Sequence, residues 1–240
     1  MTKRFENEDW SGAVMRGMDL SNARIVGALM TNASFSGEIG GLKINEIDVA
    51  PLVARELERL YPERKELFSD QPDGMRKALA IVERRLAKTW ERARGLTEEQ
   101  LNTRVDEEWS TTESLRHLVF VIDAWINRAV LGSSDPFHPI ALPPTFLPPT
   151  APGMSCDPDA KPSFEEALAV WETRMQTLRD VVDGLTTPED LLRPIVTSGD
   201  GYPPAGHETQ VVGPLWTVLE EIWWHNFFIN RDLDVIEAGS

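Results

Sequence analysis

The stretch PLWTVLEEIWWHNFFINRDLDVI, residues 214–236, decides the fold class of this chain. Its apolar residues recur every three or four positions, a spacing that predicts an amphipathic helix. Pro214 is a residue type favoured at the first helical position, so the helix is expected to begin there. Glu221 and His225 are four residues apart on one face, beside the apolar seam, where their side chains can meet. The stretch therefore predicts a long, partly buried helix that carries a carboxylate and an imidazole side by side.

Three further segments predict long amphipathic helices of similar length. They cover residues 73–94, 110–132 and 163–184. Asp73 is a plausible N-cap for the first of them. Ser110 with Glu113, and Ser163 with Glu166, have the spacing of capping boxes that begin the other two helices. Four amphipathic helices of about 20 residues predict a mainly α protein whose core is a four-helix bundle.

His117 is the third residue that belongs with Glu221 and His225. It lies on the second long helix and flanks the apolar side of that helix. Metal sites in bundles are built from inward-facing side chains of different helices. Two histidines and one carboxylate leave coordination positions open, as a catalytic metal requires. The prediction is a divalent metal site of His117, Glu221 and His225, and this donor set suits zinc, nickel or iron. Taken singly, Glu221 could be an ordinary surface carboxylate and His225 a satisfied core histidine.

The composition excludes several classes of protein. The chain has 240 residues, a formal net charge of −15 and a pI near 4.7. Nucleic acid and anionic membranes repel such a surface, so neither is expected as a partner. No apolar run approaches the ~20 residues of a membrane span, and the N-terminus has no signal-peptide pattern. The single cysteine, Cys156, excludes an internal disulfide framework and fits a cytoplasmic location. No helical or basic surroundings lower its pKa, so it is not expected to be a nucleophile.

The first 40 residues repeat with a period of five. The repeated apolar positions are Phe5, Trp10, Met15, Leu20, Ile25, Met30 and Phe35. Period five matches neither helix nor strand and is typical of a solenoid turn. The pattern resembles the pentapeptide-repeat family, which implies a short β-helical segment of fewer than two square coils with these side chains stacked inside. We expect the segment to pack against the bundle or a second subunit.

The chain is thus predicted to have three parts. Residues 1–40 form the pentapeptide-repeat segment, residues 41–72 a connecting segment with a short helix over 49–61, and residues 73–240 the bundle. A long Pro-rich loop, residues 133–162, joins the second and third long helices. Long ordered loops are often functional, so we expect this one to border the metal-site opening and shape the substrate pocket. His138 and His207 lie in loops and are expected to be surface residues.

The order of several short motifs resembles the DinB-like superfamily of four-helix bundles. These motifs are Trp109–Ser110 at the start of the second helix, His117 two turns later, Glu221–x–x–x–His225, and the ending Asn230–Arg231–Asp232–Leu233. The Glu-bearing version is similar to the mycothiol-dependent maleylpyruvate isomerase-like branch. The resemblance covers roughly residues 73–236 and implies that His117, Glu221 and His225 hold zinc.

The resemblance also carries an expectation about activity. It implies a metal-dependent enzyme, of the S-transferase or isomerase type, that acts on a small electrophile with a low-molecular-weight thiol such as mycothiol. A metal ion holds such a thiol as the reactive thiolate. The alternative is a non-catalytic metal-binding protein with a stress-response or interaction role. A small-molecule substrate is the expected partner, and a homodimer is left open.

Overall fold

The computed structural model describes residues 4–239. It divides into two compact units, one ending at Gly40 and the other beginning at Gly41. The first unit holds the pentad repeats, and the second holds all the helices.

The helical unit is a four-helix bundle. Its helices are α1 (Ala50–Leu60), α2 (Pro72–Ala93), α3 (Glu98–Leu101), α4 (Thr111–Ile122), α5 (Phe164–Asp183), α6 (Pro188–Leu192) and α7 (Val212–Ala238), with a 3₁₀ helix at Pro62–Phe68 and a π-helical segment at Asp123–Val130. Helix α2 packs against α5 and α7, and α4 packs against the same two helices. Large buried side chains such as Met75, Phe120, Trp171 and Trp223 fill the interior. The predicted bundle is confirmed.

The helix starts follow the local sequence signals with two exceptions. Ser110 and Ser163 accept hydrogen bonds from the amides of Glu113 and Glu166, so both predicted capping boxes are present. The predicted N-cap role of Asp73 is wrong, because Pro72 takes the first helical position and moves the boundary back. Helix α7 begins at Val212, ahead of Pro214, because a proline is tolerated anywhere in the first turn, where its missing N–H has no helical partner.

The second predicted helix is interrupted by a change of winding. Helix α4 ends at Ile122 and continues into the π-helical segment, which ends before Gly132. Gly132 has a φ of +68°, a conformation that glycine adopts without steric cost and that ends the helix. Asp123, at the junction, is fully buried. Single π-helical turns of this kind are often found near functional sites.

Two short antiparallel hairpins complete the helical unit. Strands β1 (Lys43–Ile44) and β2 (Ile47–Asp48) precede α1, and β3 (Pro194–Val196) pairs with β4 (Glu208–Gln210), with Ile195 opposite Thr209. The second hairpin ends where α7 begins. It carries a loop, residues 197–207, that places Tyr202 against Phe120 of α4, with ring centroids 6.1 Å apart.

The N-terminal unit turns a corner every five residues. Positive φ angles recur at Asn7, Gly12, Gly17, Asn22, Gly27, Asn32 and Gly37, residue types that tolerate this region best. Turn hydrogen bonds recur at twice that spacing, from the amides of Ala13, Ala23 and Ala33 to the carbonyls of Trp10, Leu20 and Met30. The period of five is therefore present in the backbone conformation as well as in the pattern of apolar residues.

The apolar centres of these pentads are not buried. The seven repeated apolar side chains, from Phe5 to Phe35, are each 44% to 64% exposed. The expectation that they stack inside a coil is wrong, because fewer than two coils leave no layer with a neighbour on both sides. Across the described residues, no helix has the length and apolarity needed to cross a membrane.

Candidate metal centre

The packing of α4 against α7 brings the three predicted ligands together. One ligand atom from each of His117, Glu221 and His225 lies within 4.8 Å of the other two. His117 comes from α4, and Glu221 and His225 come from successive turns of α7. Their separate segments meet only because both helices pack in the same bundle.

The His117 ring is fixed by the long loop. Its Nδ1 is 2.9 Å from the carbonyl oxygen of Leu142, which can only accept, so Nδ1 carries the proton. The lone pair is then on Nε2, which lies 3.9 Å from Glu221 Oε2. A backbone carbonyl that fixes the tautomer in this way is the usual support for a metal-binding histidine. The loop of residues 133–162 therefore borders the site, as predicted.

His225 faces the same carboxylate from the other side. Its Nε2 is 3.6 Å from Glu221 Oε2, and its ring centroid is 4.9 Å from that of His117. Trp109 covers both imidazoles, with ring centroids 4.6 Å from His117 and 6.1 Å from His225. The Nδ1 atom of His225 is buried and has no hydrogen-bond partner among the described residues. Such an orphaned polar atom is rare in a protein interior.

Burial sets the charge state of the cluster. It lowers the pKa of His117 to about 4, against the weaker opposing effect of its bond to Leu142. Burial, and then the neighbouring His117, lower the pKa of His225 well below its usual value. Burial, and then the charge of Glu220, raise the pKa of Glu221. At neutral pH both imidazoles are uncharged and offer lone pairs, the form in which histidine binds metals.

The geometry and chemistry of the three groups fit a divalent ion. Two ligands held at 2.0–2.1 Å from a tetrahedral zinc ion are about 3.4 Å apart, close to the observed separations from Glu221. The distances of 3.9 Å and 3.6 Å from Glu221 Oε2 to Nε2 of His117 and of His225 are too long for hydrogen bonds, so the carboxylate and the two imidazoles are not hydrogen-bonded to one another. Within residues 4–239 no fourth His, Cys, Asp or Glu joins the group. The Glu221 side chain is 41% exposed, whereas that of His225 is 12% exposed, so the cluster opens to solvent on the Glu221 side.

The loop that holds His117 is itself tied to the bundle at three points. Arg116 Nε donates to the Ile140 carbonyl at 2.8 Å, and the Leu142 amide donates to the Arg116 carbonyl at 3.1 Å. Farther along the chain, Asp123 Oδ2 accepts the His138 amide at 2.8 Å. Asp123 also accepts Arg174 Nε of α5 at 2.7 Å. The site is thus supported by a loop that is tied to Arg116 of α4 and to Asp123, and Asp123 is itself bonded to α5.

The other candidates lie outside the cluster. His138 is half-buried in the long loop, and His207 contacts Trp125 edge to face. Cys156 is buried, and burial raises the pKa of its thiol to about 12. Glu220, the neighbour of Glu221, accepts a hydrogen bond from Arg64 at 2.6 Å. None of these four belongs to the metal group of the described chain.

Two family models match the chain. The model of the DinB superfamily matches residues 81–224, and that of the pentapeptide repeats matches residues 4–37 in eight copies. The chain belongs to the DinB superfamily. Membership supports a metal-binding protein, in agreement with the clustered donors. No curated protein and no solved structure matches the chain.

The sequence of this DinB-superfamily chain did not point to one aromatic neighbour of the site. Tyr202 stacks near Phe120, whose ring in turn lies 5.9 Å from His117. Burial, and then the charge of Glu221, raise the pKa of the Tyr202 phenol, so it stays protonated at neutral pH. Tyr202 follows a Gly–Asp–Gly turn and precedes two prolines, and no motif links it to His117. Only the packing of the β3–β4 loop brings it to the site.

Proposed function

We propose that this protein is a metal-dependent enzyme of the DinB superfamily that activates a low-molecular-weight thiol for attack on a small electrophile, as an S-transferase or isomerase. The observation that carries the proposal is the three-donor cluster that opens to solvent at Glu221. A structural metal site is usually closed by a fourth protein ligand, whereas a catalytic site keeps a position free.

The chain's own cysteine supports an external thiol. Cys156 is the single cysteine, and its raised pKa keeps it protonated at neutral pH. A thiol cannot attack an electrophile at a useful rate unless it is a thiolate. A thiolate used in this reaction would therefore come from a bound small molecule such as mycothiol.

Each residue of the candidate metal centre would have a separate role in this reaction. His117, Glu221 and His225 would hold the ion, and Leu142 keeps the His117 lone pair on Nε2. A bound zinc ion would lower the pKa of a coordinated thiol or water. The Trp109 ring excludes water from the two imidazoles. The protonated Tyr202 phenol can donate a hydrogen bond to a group that develops negative charge in the substrate.

Metal content is the first test. The protein should be purified without a metal-affinity column, and its metal measured by elemental analysis. We expect one divalent ion per chain in the wild type and none in His225→Ala. A matched control is His138→Ala, which removes a loop histidine outside the cluster. Full metal content in the triple alanine variant at His117, Glu221 and His225 would refute the site.

Thiol chemistry is the second test. Mycothiol and 1-chloro-2,4-dinitrobenzene should be mixed with the metal-loaded protein, and conjugation followed by absorbance. We expect acceleration that His225→Ala abolishes and Cys156→Ala leaves unchanged. Stoichiometric metal without acceleration by mycothiol or other small thiols would instead support the non-catalytic alternative.

A further inference from the structure

A cleft lies between α2, the 3₁₀ helix and α7, and no residue of the metal cluster lines it. It has a volume of about 360 Å³, within the range of small-molecule sites. Its lining consists of Glu63, Arg84, Arg85, Lys88, Thr89, Asn226 and Asn230. Every one of these side chains is polar, and three of them are cations on α2.

The charge of the cleft is opposite to that of the chain. The chain has a formal net charge of −15, yet this cleft holds three cations and one carboxylate. Glu63 is shared, since it accepts Arg84 Nη2 at 3.0 Å and Arg85 Nη1 at 2.8 Å. Lys88 forms no ion pair with any residue in the described part of the chain. Positive charge concentrated in a cleft of an acidic protein attracts anions.

The central guanidinium is held in place before any ligand binds. Arg85 stacks over the Trp223 ring at 4.1 Å, and its Nε donates to Asn226 Oδ1 at 3.3 Å. Beneath it, Asn226 Nδ2 and Asn230 Nδ2 both donate to the Thr89 hydroxyl oxygen, at 2.6 Å and 2.8 Å. Thr89 and Asn226 are buried. A preordered guanidinium above a rigid polar floor loses little entropy when an anion binds.

We propose that this cleft binds a phosphorylated small molecule, with the phosphate between Arg84, Arg85 and Lys88. Two positive charges remain after Glu63 is paired, which matches the charge of a phosphate monoester near pH 7. Arginine forks suit phosphate oxygens in two-point contact, and lysine adds a point charge. The volume leaves space beside the phosphate for a small polar remainder, which would face Asn230.

The test is calorimetric titration with glycerol 3-phosphate, inorganic phosphate and acetate at ionic strength fixed with chloride. We expect one phosphate-bearing ligand per chain, with acetate much weaker. Lys88→Gln and Arg84→Gln should each weaken binding about tenfold, the effect of losing one charge-assisted contact. Glu63→Gln should strengthen binding, because it frees both guanidiniums. All three substituted side chains are partly or largely exposed, so the fold should survive these changes.

The controls separate a built site from general charge. Arg94→Gln removes one positive charge from the end of α2, where Arg94 pairs with Glu165 and does not line the cleft. It should leave binding unchanged. If Arg94→Gln weakened phosphate binding as much as Lys88→Gln does, or if acetate bound as tightly as phosphate, the proposal would be overturned. The same titration on His225→Ala keeps the outcome independent of the metal site.

Discussion

At the scale of single residues, His117 shows how burial sets the charge state of an imidazole. Its carbonyl partner, Leu142, fixes the proton on Nδ1, and desolvation lowers its pKa to about 4. A histidine that is neutral when folded and charged when unfolded makes stability depend on pH. The unfolded chain binds more protons between the folded pKa and the unfolded value of about 6.5, so stability falls as the pH drops through this range.

The lowered pKa of His117 can be tested by measuring the stability of the metal-stripped protein as a function of pH. We expect its urea midpoint to fall as the pH drops from about 6.5 towards 4, with a loss of up to about 3 kcal/mol from His117. His117→Gln should flatten this slope. His138→Gln, which changes a half-buried loop histidine, should flatten it much less. A slope that is unchanged in His117→Gln would show that other groups control acid stability.

The sequence was sufficient to predict the three clustered residues but not the groups that support them. Glu221 and His225 are four apart on a recognisable helix, and His117 stands in a family motif, so spacing and resemblance together suggested the cluster. The Leu142 carbonyl and the Tyr202 ring could not be predicted. A backbone carbonyl carries no signal in residue type, and Tyr202 reaches the site only through a loop path set by tertiary packing.

At the scale of secondary-structure elements, the start of α4 concentrates several contacts on Glu113. Its carboxylate accepts the Ser110 amide at 2.9 Å and also pairs with Arg104. Burial acts to raise its pKa, but Arg104 and Ser110 outweigh burial, and the pKa is lowered. The stabilisation is therefore present above the unfolded pKa of about 4.3 and is lost as the pH falls through the folded pKa.

Glu113→Gln tests this helix start. We expect it to lower the free energy of unfolding at pH 7 by about 1 kcal/mol, since the amide can keep the cap but not the charge. The difference from wild type should shrink as the pH falls through the lowered pKa of Glu113 and its carboxylate becomes protonated. Glu165→Gln, at an exposed position in the first turn of α5, is the matched control and should have a smaller effect. A difference that does not vary with pH would contradict the ionic contribution.

Asp123 joins three elements and is the position where we expect the largest loss of stability. It is fully buried and accepts hydrogen bonds from Asn127, Arg174 and the His138 amide. Asp123→Ala should destabilise the protein by about 3–5 kcal/mol, because it leaves these donors without a partner. Chemical denaturation measures the loss. Asp180→Ala, an exposed aspartate on α5, is the control. A cost below about 1 kcal/mol would mean that water replaces the carboxylate.

Element boundaries were predictable where a side chain caps the helix. The starts of α4 and α5 were predicted from the capping boxes of Ser110 and Ser163. The starts of α2 and α7 lie at Pro72 and Val212, before the predicted positions, and neither start has a side-chain cap hydrogen bond. The π-helical winding after Ile122 was not predictable, because the apolar periodicity of residues 110–132 is compatible with one regular helix. The segment begins at Asp123, whose partners Arg174 and His138 lie far away in sequence.

At the scale of the whole molecule, the division at Gly40 separates the repeats from every candidate ligand. Deletion of residues 1–40 should leave the metal content at one ion per chain, because His117, Glu221 and His225 all belong to the helical unit. Elemental analysis and far-UV circular dichroism of the truncated protein check this. We also expect altered solubility or oligomeric state, since the half-exposed pentad centres are removed. A folded, soluble truncation without metal would contradict the division.

The pairing of α4 with α7 also sets an order of events during synthesis. About a hundred positions separate His117 from Glu221, so at 5–20 residues per second the ribosome delivers the first imidazole roughly 5–20 s before the carboxylate. During that interval the nascent chain contains only His117 of the three proposed ligands, which is too few to hold an ion. Metal binding at the proposed site must therefore await the fourth bundle helix, and such an ion cannot guide the earlier helices into place.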